Sequence, residues 1–149
     1  MNWIEKRDNC KSHQIKKITK DVAGMKAGSS MLIANTLIFD KYINNIPYGE
    51  FIPTKNMRID LALKFNCDVT CPLTTGIFIR VVSEDSYQEY IDGKPITAIT
   101  PFWRVVSPET NIAKKLACGF DFIIKIDLPF FFSSKSISPL ILKDPLPLL

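Results

Sequence analysis

The sequence predicts a small α+β domain, and three observations carry that prediction. Apolar residues recur at helical spacing over two neighbouring stretches, 54–65 and 70–91. Two short apolar runs containing β-branched residues, Met31-Leu32-Ile33-Ala34 and Ile99 to Val106, fit buried strands. Turn-forming residues separate these segments at Gly28-Ser29-Ser30, Pro47-Tyr48-Gly49, Asn66-Cys67-Asp68 and Asp92-Gly93. Two helices joined by a turn of about four or five residues make a helix-turn-helix. The 99–106 strand then belongs to a wing or to the sheet beside it. The expected architecture is therefore winged-helix-like, a helix-turn-helix with short strands.

Composition sets the outer limits. A chain of 149 residues holds one domain with a real core, and 46% apolar with 23% charged residues is ordinary for a soluble protein. No apolar run approaches the ~20 residues of a membrane span. The polar N-terminal stretch lacks the apolar segment of a secretory signal, so the expected compartment is the cytoplasm, with no membrane partner. The cysteines, Cys10, Cys67, Cys71 and Cys118, are then expected as reduced thiols. A net charge of +4 permits contact with nucleic acid without demanding it.

Taken in order, the first 27 residues concentrate positive charge in Lys6, Arg7, Lys11, Lys16, Lys17, Lys20 and Lys26. Ile15, Ile18, Val22 and Met25 recur at three- and four-residue intervals, which predicts an amphipathic helix with a basic outer face. Such a face is either simply solvated or an electrostatic contact for phosphates. His13, the lone histidine, is expected at the surface. After the strand at Met31–Ala34, Asn35 or Thr36 caps a helix whose inner side carries Leu37, Phe39, Ile43 and Ile46. The next helix starts at Thr54 and buries Met57, Leu61 and Phe65. The following one begins at Thr70, with Pro72 in its first turn, where a missing N–H costs nothing. Leu73, Ile77 and Val81 form its apolar line, widened by Phe78 and Val82. Asn111 to Leu116 is a short helix, and Phe120, Phe122, Ile123 and Ile124 form a second apolar patch.

The candidate DNA-binding residues sit at the start of the 70–91 helix: Thr70, Leu73, Thr74 and Thr75. Free backbone N–H groups and threonine hydroxyls suit phosphate oxygens. A threonine-capped helical hairpin gives the same pattern without any ligand. Cys67 and Cys71 are separated by three residues, with no second pair nearby, whereas a structural zinc wants four ligands. No metal or cofactor is expected. Neither a Gly-rich phosphate loop nor a Ser-His-Asp order is present.

Pro101-Phe102-Trp103-Arg104-Val105 resembles the Pro-Cys-His-Arg-Val active-site motif of the methylguanine-DNA methyltransferases. Ile46-Pro47-x-Gly49, then helix, turn and a helix containing Gly76, precede it in the family's order, and the similarity spans roughly residues 36–118. Cys71-Pro72-x-Thr74-Thr75-Gly76 with Pro101-x-Trp103-Arg104 also looks like a group of small uncharacterised bacterial methyltransferase-like proteins. The resemblance implies a DNA-binding domain, but Phe102 stands where the family has its acceptor cysteine and Trp103 where it has histidine. Leu73 occupies the position of the intercalating arginine, and the helix spacing is a few residues off. The expected function is thus non-catalytic binding to DNA, including alkylated DNA, as in the alkyltransferase-like proteins. Pro101, Phe102, Trp103 and Arg104 would form a vestigial base pocket, with Arg104 bracing the turn through backbone carbonyls. A transferase using Cys71, and a decayed protein without activity, are the alternatives.

The domain is expected to span 1–128. Residues 129–149 read as an irregular, apolar, proline-punctuated tail, either degenerate or folded on a partner's apolar surface, and dispensable for the fold. Because Phe102 has no thiol, incubation with an O-alkylated guanine oligonucleotide should leave the protein's mass unchanged. An alkyl adduct on any cysteine, read by mass spectrometry, would reinstate the enzyme alternative, and on Cys71 would name its nucleophile.

Overall fold

Pro72 opens the longest helix of the described residues. The computed structural model describes residues 2–126. In chain order these form α1 (Trp3–Asp8), β1 (Gln14–Lys17), β2 (Ser30–Ile33), α2 (Thr36–Asn44), α3 (Thr54–Lys64), β3 (Val69–Thr70), α4 (Pro72–Ile91), α5 (Asn111–Lys115) and α6 (Gly119–Ile126). The fold is α+β, with three strands in the order β1-β2-β3. The expected tail and the boundary at 128 lie outside the described residues.

The segment expected as an amphipathic helix is a β-ribbon. β1 pairs antiparallel with β2, from Gln14 opposite Ile33 to Lys17 opposite Ser30. Beyond them Ile18 N–H donates to Ser29 O and Gly28 N–H to Ile18 O. Val22 and Met25 then exchange both backbone hydrogen bonds across Ala23-Gly24, whose φ angles are 49° and 79°. Two successive positive φ values are those of a primed hairpin turn and cannot occur in a right-handed helix. The three- and four-residue spacing was therefore coincidental here, and β-branched Ile15, Ile18 and Val22 suit extended backbone. β3 adds to the other side of β2 in parallel, Met31 opposite Val69 and Leu32 opposite Thr70.

α2 begins as its sequence predicts. The Asn35 side chain accepts from Ile38 N–H, and Phe39 and Ile43 are fully buried, while Leu37 is exposed. α3 buries Met57, Leu61 and Ala62, with Pro53 rather than Thr54 at its cap position. Residues 65–71 connect α3 to α4 and carry β3, so Thr70 belongs to a strand and the connection is longer than the turn expected at 66–68. α4 packs on α1 and α2.

α4 also turns differently from expectation. Val81 and Val82 are buried and Phe78 packs against the core as expected, but Leu73 and Ile77 are 73% and 52% exposed, and Thr75 and Ile79 take the inner side in their place. Apolar residues lie all round this helix, so their spacing left its inner side open to more than one choice. In its middle, four consecutive residues, Ser83, Glu84, Asp85 and Ser86, are all buried. Successive residues step about 100° around a helix, so four in a row are covered only where neighbours enclose the whole circumference.

The expected strand at 99–106 is absent. Instead, 96–98 and 102–104 form single 3-10 turns. Pro101, at φ −79° and ψ 67°, sits in an inverse γ-turn that Phe102 N–H closes onto Thr100 O at 2.8 Å. Proline cannot donate to a ladder, and its ring favours this bend. Phe102, Trp103, Val105 and Val106 are all buried, a pattern set by a turn inside the core. Phe122 of α6 closes that side, its ring 5.1 Å from Tyr87, 5.4 Å from Tyr90 and 6.2 Å from Phe102.

The enclosed polar run fastens these parts. Arg7 Nη1 donates to Asp85 Oδ2 at 2.6 Å, Ser86 Oγ to Thr100 O at 2.7 Å, and Ala117 N–H to the Glu84 carboxylate at 3.2 Å. The other Asp85 oxygen, Oδ1, is buried without a hydrogen-bond partner. Burial therefore pushes the Asp85 carboxyl up from its ordinary range, against the opposing pull of Arg7, with Glu89, Asp8 and Asp40 adding to the rise. With the folded value above the unfolded one, the native state binds the extra proton. Stability from this group is present below the ordinary carboxylate range and is lost as pH rises through the raised value. Against Asp85→Asn, the parent should lose ground as pH climbs from about 4 towards neutrality. Urea unfolding across that range tests this, and a pH-independent difference would show that Arg7 cancels the burial.

Candidate functional site

Two of the four residues expected to contact DNA are buried. Thr70 is buried, and its hydroxyl donates to Arg58 O at 2.8 Å. Thr75 is likewise buried, its hydroxyl donating to Cys71 O at 2.6 Å. Thr74 is half-buried, with its hydroxyl 3.5 Å from the same carbonyl. Leu73 alone of the four stands open to solvent. The hydroxyls of Thr70 and Thr75 are thus committed to internal carbonyls, as is common for threonine near a helix start.

The Pro101–Arg104 turn faces inward. Phe102 has no exposed surface and Trp103 is 8% exposed. Their rings meet edge to face at 5.4 Å, so both are spent on the core. Arg104 does brace backbone. Its Nη1 donates to Ile46 O at 2.6 Å, and Ile52 N–H donates to Arg104 O at 2.8 Å. Its guanidinium also lies 5.8 Å from the Tyr48 ring centre. One arginine therefore ties the 46–52 loop to the core at both ends.

Cys67 and Cys71 are buried, and all four cysteines are free. Burial pushes the Cys67 thiol up, with Asp68 adding to it, and pushes Cys118 up to about 11. Both changes disfavour the thiolate that nucleophilic chemistry needs. Among the described residues no group of three or more His, Cys, Asp and Glu side chains could hold a metal ion. Exposed His13 rests against Phe65, ring centres 4.8 Å apart.

The surface that stands out was only half visible in the sequence. Lys16, Lys17, Lys20 and Lys26 are all exposed along the ribbon, and β1 is exposed at every position. The ribbon tip, Ala23-Gly24-Met25, borders a cleft of about 290 Å³ whose other wall is α3, with Lys55, Arg58 and Ile59. None of these six basic residues is in an ion pair among the described residues. The nearby acids are engaged: Asp21 accepts from Ala27 N–H at 2.7 Å, and Asp68 from the Ser30 N–H at 2.8 Å and hydroxyl at 3.1 Å. These bonds from Ser30 hold the Asp68 carboxyl below its usual range. The charge excess was evident from the sequence. Its display on a ribbon whose tip shares a cleft with Lys55 and Arg58 depends on the turn at Ala23-Gly24.

Cutting the Arg104 brace, as Arg104→Ala, leaves the partly buried Ile46 carbonyl unpaired. The expected cost is about 1.5–3 kcal/mol by urea unfolding, the range for hydrogen bonds to charged groups, with faster amide exchange at Ile52. A variant of parental stability would show the loop to be held without Arg104. No family model, no curated protein and no solved structure matches this chain.

Proposed function

We propose that this protein is a non-catalytic DNA-binding protein, and that its ribbon, with the start of α3, is the surface that meets the phosphate backbone. The observation that carries this is the set Lys16, Lys17, Lys20, Lys26, Lys55 and Arg58, exposed or half-buried around one ribbon and cleft and free of ion pairs among the described residues. Unpaired cations brought together in this way gain from releasing condensed counterions at a polyanion. A two-stranded ribbon also has the dimensions to enter a groove of the duplex. In a winged-helix-like domain it takes the part of the wing, a role the sequence had assigned to residues 99–106.

The methyltransferase resemblance supports DNA over other polyanions, and the core position of Phe102 in place of a nucleophile supports binding over transfer. Recognition of an alkylated base is a narrower form of the same proposal, carried by the resemblance. Phosphate contacts alone do not distinguish bases.

The test is fluorescence-anisotropy titration of a labelled duplex over a range of salt. Affinity should fall as salt rises. Replacing Lys16, Lys17, Lys20 and Lys26 together by Ala should weaken binding and flatten the salt dependence by about one unit of slope per lost phosphate contact. Salt-independent binding, or a quadruple variant that binds like the parent, would remove the ribbon from the interface. Tighter binding to a duplex with one O-alkylated guanine would establish the narrower form.

A further inference from the structure

A second concavity lies away from the ribbon, between α2 and α3. It encloses about 340 Å³ and is lined mainly by apolar side chains, among them Ile38, Ile46, Ile52, Leu61 and Phe65. That volume lies within the range of small-ligand pockets, which are mostly apolar with a few placed polar groups. Here the polar groups come from both helices. Lys41 of α2 and Lys64 of α3 line the cavity, and neither is in an ion pair among the described residues. The neighbouring acid, Asp60, accepts the Tyr42 hydroxyl and does not line the cavity.

The third wall is built in advance. Ile46, Pro47 and Ile52 belong to the loop that Arg104 pins at Ile46 O and through its own carbonyl to Ile52 N–H. The Pro-Phe-Trp-Arg turn, which the DNA interface leaves unused, thereby fixes the shape of this cavity. A preformed wall spares a ligand the ordering cost that a loose loop would impose.

We propose that this cavity is a binding site for a small carboxylate with an apolar body, its hydrocarbon part among the isoleucines and its carboxylate between Lys41 and Lys64. Charge complementarity selects the acid: two ammonium groups without an ion pair among the described residues line a cavity whose other walls are apolar but for Tyr42 and Asn45. A neutral ligand would gain only the apolar burial and an amine would meet repulsion. Arg104 is a positioning residue here, acting on the wall and not on the ligand. The site is independent of the DNA-binding proposal.

Isothermal titration of the full chain with decanoate, against decanol as the uncharged match, tests this. Decanoate should bind saturably, one per chain, and decanol more weakly. Lys41→Ala combined with Lys64→Ala should cost roughly tenfold or more in decanoate affinity, the scale of a hydrogen bond to a charged group. Decanol binding should be unmoved by that change. Ile38→Trp, which fills the cavity from α2, should abolish binding of both. Absence of saturable binding, equal affinity for decanol and decanoate, or a double lysine variant that binds decanoate like the parent would overturn the proposal. Because the lysines are exposed, that double variant decides the question even if Ile38→Trp fails to fold.

Discussion

The pairing of Arg7 with Asp85 is the contact on which the arrangement of elements most depends. Asp85 lies in the one stretch of α4 that is covered on every side, and its charge is tolerable there only with a cation supplied from elsewhere. α1 supplies it, and α1 is a helix of six residues, too short to persist by itself. The carbonyl of the same Arg7 accepts the Thr36 hydroxyl at 2.8 Å, which joins α2 to the contact. Through Ser86 and Thr100 the next position of α4 holds the bend before Phe102, and through Glu84 it holds the junction of α5 and α6. A single turn of helix thus reaches three separate parts of the chain by polar contacts, and the apolar core fills in around them. Buried polar groups of this kind contribute little net stability, but they restrict the chain to one arrangement.

Legibility in the sequence followed how local each determinant was. Asn35 capping α2, Met57 and Leu61 lining α3 and Asp92-Gly93 ending α4 are set by residues within a turn of one another, and all were readable. Arg104 was readable as a brace because a guanidinium beside a proline bend has few other uses. The ribbon and the 102–104 turn were not readable from spacing. Ile15, Ile18 and Val22 fit either a helix or a strand, and the decision came from positive φ at Ala23-Gly24, where alanine gives no warning. Phe102 and Val105 looked like strand residues because burial on all sides produces a continuous apolar run whatever the backbone does. The inner face of α4 was illegible for a related reason: its buried middle is Ser-Glu-Asp-Ser, which pattern reasoning assigns to solvent. The candidate ribbon surface depends on long-range folding, since Lys55 and Arg58 join it from another helix.

Charge is distributed unevenly between interior and surface. Glu84 and Asp85 are almost wholly withdrawn from water, and Arg7, which neutralises one of them, is drawn inward as well. Asp21 and Asp68 are occupied by backbone and hydroxyl donors. The lysines of the ribbon have no such partners among the described residues. The lysines of the ribbon outnumber Asp21 and Asp68, so the field near it is positive, and the short range of screening at physiological salt keeps the remote acids from offsetting it.

β1 is an edge strand, open to solvent on both faces, and its outer row of backbone groups is a template on which another strand could form. Lys16 and Lys17 guard that edge, since a second copy approaching in register would bring like charges together. The guard is electrostatic and therefore conditional. A polyanion that neutralises the lysines, or salt high enough to screen them, lifts the repulsion while leaving the backbone template in place.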